Sequence, residues 1–258
     1  MSEIEKKQFD NLSVEIHANR LESGRAAGRA TAAELKRILA EKGSARMVFA
    51  AAPSQDEVLE CLVAEPNIDW GKVTAFHMDE YIGLADGAPQ RFSQYLKTRL
   101  FDKLPFDEVH LIEGNSPEQV CENYAKKLNE GPIDIVCMGV GENGHIAFND
   151  PPVADFCDPK MLKVVQLDNA CRQQQVNDGC FPNFDAVPQY AVTLTIPALM
   201  SGGCLICTVP GQRKGQAVRR MLRGEISTEC PASILRTHRN CTLYVDRDCW
   251  DAPAETDA

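Results

Sequence analysis

From residue 21 to residue 245 the chain alternates segments of helical spacing with short apolar runs of strand type, and only a few folds accept that rhythm. Residues 21–42 are rich in Ala, with apolar positions three and four apart, which predicts a helix ended by Gly43. Strands are expected at 47–52, 73–78, 109–112, 133–140, 163–167, 191–196, 204–209 and 241–245. Helices are expected at about 55–63, 92–101, 117–128, 212–223 and 232–235. Apart from Asp134, the run IDIVCMGV (133–140) is apolar without alternation, as in a strand buried on both faces of a parallel sheet. The pattern predicts an α/β fold: a doubly wound, mostly parallel, Rossmann-like sheet with helices on both faces. No linker or repeat interrupts it, so residues 1–258 are read as a single domain. The longest irregular stretch, 141–161, has a length that usually carries function, and the acidic tail 246–258 reads as a frayed end.

Composition narrows the partners. Acidic side chains outnumber Lys and Arg 37 to 27, a formal net charge of −10. That argues against nucleic acid as a partner, because phosphate backbones are met with a surplus of cations. A small anionic ligand needs only one or two local cations and is still admitted. No run approaches the roughly 18 apolar residues of a membrane span, and the opening MSEIEKKQFD holds no apolar signal core. A cytoplasmic setting is expected, with the eleven cysteines as reduced thiols packed mostly as small hydrophobes. Cys204 and Cys207 form a C-x-x-C, yet residues three apart on a strand face opposite ways, so no metal site is expected there. A homo-oligomer is compatible with this reading.

Ligands of open parallel sheets bind beyond the carboxyl ends of the strands. Here the strands exit in Ala51-Ala52-Pro53-Ser54, in His77-Met78-Asp79-Glu80-Tyr81 and in the loop from Gly139 to His145. A fourth exits in Val209-Pro210-Gly211, ahead of Lys214. Four such exits on one edge would form one cleft. Asp79 and Glu80 are neighbours on an extended segment, so only one carboxylate can enter a given pocket. A carboxylate at the end of a buried strand is partly desolvated and becomes a usable base near neutral pH; the alternative is a solvated strand end.

Gly139, Gly141 and Gly144 let the backbone approach a ligand and present N–H groups to an anion. The loop is not G-x-x-x-x-G-K-[ST], and the acid that a dinucleotide site uses about 20 residues on would have to come from a loop. His145 closes it, with Asn143 before and Asp150 after. An imidazole is suited to moving protons at pH 7, and Asp150 could orient it or raise its pKa; a purely structural His is the alternative. Lys214 at a helix start suits an anion, or is a solvated lysine beside Arg213, Arg219 and Arg220. Ser54-Gln55-Asp56-Glu57 reads as a capping box, which would hold the Ser54 hydroxyl in its own helix and place two acids where an anion would sit.

FHMDEYIGL (76–84) and MGVGENGHIAFNDPP (138–152) resemble the two signature segments of the glucosamine-6-phosphate deaminase/isomerase family. YAVTLTIPAL (190–199) and PGQRKGQAV (210–218) follow in matching order. The related 6-phosphogluconolactonases share the fold and a similar glycine–His loop, but Met78-Asp79-Glu80-Tyr81 and Ile146-Ala147-Phe148-Asn149 look like the deaminase version. The resemblance implies isomerisation and deamination of a phosphosugar, glucosamine 6-phosphate and water giving fructose 6-phosphate and ammonia. It also implies a place in amino-sugar (N-acetylglucosamine) catabolism, with no cofactor and no metal. Asp79 is implied as the base that shuttles a proton between C2 and C1, and His145 as the residue that assists ring opening, with Asp150 and Asn143 beside it. Ser54, Glu80, Gly141, Gly144, Arg172 and Lys214 are implied at the substrate.

This chain departs from the family pattern at three points. Its phosphate loop is Ala52-Pro53-Ser54-Gln55 in place of a glycine-rich turn, Arg172 lies in Cys171-Arg172-Gln173-Gln174-Gln175, and Asp150 stands where a glutamate is usual. A phosphosugar lactone hydrolase, in which His145 would activate water without need of Asp79, is one alternative. A sugar-phosphate-binding regulator without turnover is another, against which the presence of both Asp79 and His145 counts.

Overall fold

Capping and small residues decide where the first long helix begins, ends and lies. The computed structural model describes residues 4–114 and 116–253. Helix α1 (Arg20–Lys42) starts at Asn19, whose side chain accepts from the Glu22 N–H, and stops at Gly43 in the left-handed region at φ 80°. Gly24 and Gly28 let it press against α2 (Asp56–Ala64). A Cβ on Gly24 would lie 2.4 Å from Glu57 Cβ, and one on Gly28 would lie 2.5 Å from Cys61 Cβ.

Strands β1 (Glu5–Phe9) and β2 (Leu12–His17) precede α1, and β3 (Ala45–Phe49) follows it. After α2 come β4 (Val73–His77), β5 (Asp79–Tyr81), α3 (Phe92–Leu96), β6 (Glu108–His110), α4 (Pro117–Leu128) and β7 (Ile135–Met138). The second half holds β8 (Leu162–Gln166), α5 (Asn169–Asn177), β9 (Tyr190–Leu194) and α6 (Ile196–Met200). It closes with β10 (Cys204–Val209), α7 (Gly215–Arg223), β11 (Cys241–Asp246) and α8 (Arg247–Trp250).

Eight strands form the main sheet in the order β1-β2-β11-β10-β7-β3-β4-β6, parallel except for the β1–β2 hairpin. Alternate side chains enter two cores: Val48, Phe76, Val136 and Leu205 on one face, Met47, Phe49, Ile135 and Ile206 on the other. Burial on both faces is why β7 is apolar without alternation and β10 is too, apart from the buried Thr208. Cys207 joins the first core and Cys204 the second, and all eleven cysteines are free thiols. From β3 the chain builds β4 and β6 on one side, then returns to lay β7 on the other side of β3. The strand order reverses there, and the crevice at such a switch point is where open α/β sheets hold ligands.

The segments expected as strands at 163–167 and 191–196 do pair, as β8 and β9, but not in the main sheet. They run antiparallel, with β5, in a separate three-stranded sheet ordered β5-β9-β8. The cause lies at Met78. β4 ends at His77, the Met78 carbonyl accepts from the Leu194 N–H at 2.7 Å, and Asp79 pairs with Thr193. The chain thus passes from one sheet to the other within two residues. The tail also differs from expectation: Asp246 caps α8, accepting from the Cys249 N–H at 2.8 Å, and the Trp250 ring lies 6.4 Å from that of Phe9. Residues 246–253 are therefore held, and 254–258 lie outside the described residues. Among the described residues no helix is long and apolar enough to cross a membrane.

Candidate active site

The carboxyl ends of β3, β4, β7 and β10 open onto one cavity of about 130 Å³. Ser54, Asp79, Gly141, His145 and Lys214 all line it, brought together from positions up to 160 residues apart in sequence (214 − 54). Phe92 and Phe148 form an apolar wall, stacked with ring centroids 5.6 Å apart.

Asp79 sits at the crossing between the two sheets and is 7% exposed. Burial pushes its carboxyl well above the ordinary value of 3.8, and the charge of Glu80 pushes in the same direction. Glu80 itself turns away. Its oxygens accept from the backbone N–H groups of Tyr81 and Phe92 at 3.0 Å and of Ser93 at 2.9 Å, and so cap α3. The implied substrate role for Glu80 is corrected accordingly: strand alternation sends only Asp79 into the cavity.

Behind Asp79 lies His77, a residue that motif reading passed over. It is fully buried; Nδ1 lies 2.9 Å from the Asp79 carbonyl and Nε2 accepts from the Ile112 N–H at 2.8 Å. With Nε2 accepting, Nδ1 must carry the proton and donate. Burial pushes the His77 pKa below 6.5, which keeps the ring neutral in this role. The available signal was a polar side chain at the end of a strand otherwise buried on both faces.

The glycine loop is shaped around His145. The Gly141 N–H donates to the His145 carbonyl at 2.9 Å, and a Cβ on Gly141 would lie 2.1 Å from His145 Cε1. The ring therefore rests on bare backbone. Gly144, at φ 90°, makes the turn; a Cβ there would lie 2.7 Å from Cys230 Sγ, and Gly144 is not among the residues lining the cavity. His145 Nδ1 lies 2.8 Å from Asn143 Oδ1 and 2.9 Å from Asp150 Oδ1, while Asn143 Nδ2 donates to Asp150 at 2.9 Å. Both neighbours of Nδ1 are acceptors, so Nδ1 holds the proton and Nε2 is left with a free lone pair. Burial raises the Asp150 pKa, but the charge and hydrogen bond of His145, with Asn143 and the Asp168 N–H, outweigh it. The carboxyl ends below its ordinary value and stays ionised. Cys171 completes a group with His145 and Asp150 whose ligand atoms lie within 4.8 Å of one another, the one such trio among the described residues. Burial and the nearby Asp150 hold that thiol well above its ordinary pKa, and so protonated.

The far end of the cavity is cationic. Burial lowers the Lys214 pKa, opposed by the charges of Asp178 and Glu142, and among the described residues its ammonium makes no ion pair. Ser54 does not form the expected capping box. A 3-10 turn (Pro53–Gln55) precedes α2, no side chain caps it, and the Ser54 hydroxyl faces the cavity. The two acids that follow are neutralised: Asp56 Oδ1 meets Arg99 Nε at 2.7 Å and also accepts from the Tyr95 hydroxyl, and Glu57 meets Arg20 Nε at 2.5 Å. Arg172 is not in the cavity. Its Nη2 donates to the carbonyls of Phe184 and Val187, each at 2.9 Å, and the guanidinium lies 4.0 Å from the Phe184 ring centre. Helix α5 instead presents Gln174 and Gln175 to the cavity. Arg20, absent from the candidates above, lines it from the start of α1.

Residues 19–244 match the family model described as glucosamine-6-phosphate isomerases/6-phosphogluconolactonase. A glucosamine-6-phosphate deaminase of Exiguobacterium sp. is 34% identical over 181 residues, 69% of each chain. One of Listeria welshimeri is 32% identical over 208 residues, 80% of this chain and 87% of that one. The solved structure of a monomeric glucosamine-6-phosphate deaminase superposes with a TM-score of 0.85 at 29% identity, covering 93% of this chain and 99% of that one. A 6-phosphogluconolactonase from Trypanosoma brucei shares the fold, with a TM-score of 0.76 at 18% identity over 97% of this chain and 100% of that one.

Proposed function

The chain belongs to the glucosamine-6-phosphate isomerase/6-phosphogluconolactonase family, and we propose that within it the protein is the deaminating isomerase, converting glucosamine 6-phosphate and water to fructose 6-phosphate and ammonia. The observation that carries this reading is the pairing of two proton-transfer groups in one cavity: a buried carboxylate, Asp79, and an imidazole, His145, with its Nε2 lone pair free. Lactone hydrolysis needs only the second.

The chemistry follows from the states of those groups. The imidazole takes a proton from the anomeric hydroxyl at Nε2 and returns one to the ring oxygen, which opens the sugar. The Asp150 carboxylate stabilises the transient imidazolium through Nδ1–H. Asp79 then removes the C2 proton from the open-chain aldehyde, and a carboxylate whose pKa is raised by burial is a stronger base for that step. A proton of the C2 ammonium passes to O1, giving the enolamine, which takes the C2-derived proton back from Asp79 at C1 and leaves an imine at C2. Water adds to the imine, and ammonia departs. Each positioned proton transfer contributes about 10²–10⁴ in rate. Lys214 and Ser54 hold the phosphate end. The free thiols suit a reducing cytoplasm, where the substrate would come from amino-sugar breakdown.

The test is to supply purified protein with glucosamine 6-phosphate, galactosamine 6-phosphate and 6-phosphogluconolactone in parallel. Turnover of the glucosamine ester, with the lactone untouched, is the expected outcome. Hydrolysis of the lactone with neither amino sugar consumed would replace this reading with the lactonase.

A further inference from the structure

Arg20 occupies the first position of α1 and borders the same cavity as Ser54, Gly139 and Lys214. Its guanidinium is anchored on the turn that carries Ser54. Nε donates to Glu57 Oε1 at 2.5 Å, and Nη2 donates to the Pro53 carbonyl. Glu57 accepts through one oxygen only, in place of the two-point grip that an arginine and a carboxylate commonly make. The contact aims the guanidinium and leaves both N–H groups of Nη1 uncommitted. The aim is built into the fold, because Gly24, one turn along α1, packs on the Cβ of Glu57 and so fixes where that carboxylate sits.

A phosphate monoester carries about −1.5 to −2 charges at neutral pH, and Lys214 alone does not balance it. The other arginine that could do so, Arg172, spends its Nη2 on two backbone carbonyls and its face on Phe184. Resting on the phosphosugar reading above, we infer that Arg20 is the second cation of the phosphate subsite. Nη1 meets the phosphate from the Ser54 side of the cavity and Lys214 meets it from the start of α7. The loop Ala52-Pro53-Ser54 holds no glycine, and a side-chain cation takes over from the backbone N–H groups that a glycine turn would supply. Arg20 would then set preference for the phosphorylated over the free sugar without touching the reacting carbons.

The experiment uses Arg20→Gln and Arg20→Lys in the full chain, read two ways. Calorimetry with inorganic phosphate needs no turnover: Arg20→Gln is expected to weaken phosphate binding about 10- to 100-fold, the range for losing charged hydrogen bonds, and Arg20→Lys to fall between. Kinetics with glucosamine 6-phosphate should show KM raised by a similar factor, with kcat within a few-fold of wild type. Arg20 is 43% exposed in its side chain at a helix start, so both variants should fold. Unchanged phosphate affinity and KM in Arg20→Gln would overturn the assignment while leaving the deaminase reading in place. Absence of wild-type turnover with phosphate affinity still lost in Arg20→Gln would do the reverse.

Discussion

His145 Nδ1 lies 2.9 Å from an Asp150 oxygen that belongs to a carboxylate only 1% exposed, and this contact, with Asn143 Oδ1 at 2.8 Å, decides which nitrogen of the ring faces substrate. With Nδ1–H committed, Nε2 works as the base. Asp150→Asn keeps the shape but can present an amide N–H to Nδ1 and favour the wrong tautomer. We expect kcat to fall by about 10²–10⁴ with KM little changed, and steady-state kinetics checks it. Asp150→Glu should retain far more activity, since it keeps the charge. Because the folded pKa of Asp150 is lowered, its contribution to stability is present above the ordinary carboxylate range and is lost as pH falls through the folded value.

Asp79 stands in the opposite position. Its folded pKa is raised well above 3.8 by burial, so the fold is more stable when the group is protonated, and that stability is lost as pH rises through the folded pKa. At neutral pH the base therefore costs the fold. Asp79→Asn should abolish turnover and yet melt higher than wild type at pH 7, by about 2–4 °C for each kcal/mol recovered. A lower melting temperature in Asp79→Asn would contradict the account of its burial.

His77 is kept neutral by burial, with a folded pKa below 6.5. Unfolded histidine takes up its proton near 6.5, so the protein should lose stability as pH falls below that value, down to the folded pKa. In His77→Asn that part of the pH dependence should flatten. The variant should also lower kcat more than it raises KM, because the Asp79 carbonyl loses its anchor while the phosphate end is untouched. Denaturant melts across pH, together with kinetics, separate the two effects.

Gly141→Ala tests the loop. The added methyl would meet the His145 ring at about 2.1 Å, and the ring has to give way. We expect a loss of about 1–3 kcal/mol in stability and a fall in kcat. Gly144→Ala should cost stability through its φ of 90° and affect KM little.

Much of this was legible because burial on two faces leaves a plain mark. β7 was visible as an unbroken apolar run and β10 as one interrupted only by Thr208, and their polar or glycine exits pointed to the cleft edge. What stayed hidden depended on pairing across distance. The run through Met78 looks like one strand, and only its pairing with Leu194 and Thr193 breaks it between two sheets. Glu80 looked like a site carboxylate until its partners, the N–H groups of Phe92 and Ser93, came to it from 12 and 13 residues away. Arg172 was implied at the cavity but is turned from it, while Arg20, not among the candidates, lines it, for the same reason. Which arginine reaches a cavity depends on how α1 and α5 pack, and nothing in their local sequence records it.

The most direct measurement is stoichiometry. Purified protein given glucosamine 6-phosphate in D2O should release ammonia and fructose 6-phosphate in equal amounts, with Asp79→Asn releasing neither. Deuterium at C1 of the fructose 6-phosphate would report exchange of the transferred proton on Asp79 with solvent. If the wild-type protein leaves glucosamine 6-phosphate unchanged while binding it, the pairing of Asp79 with His145 does not do the chemistry assigned to it, and the central claim fails.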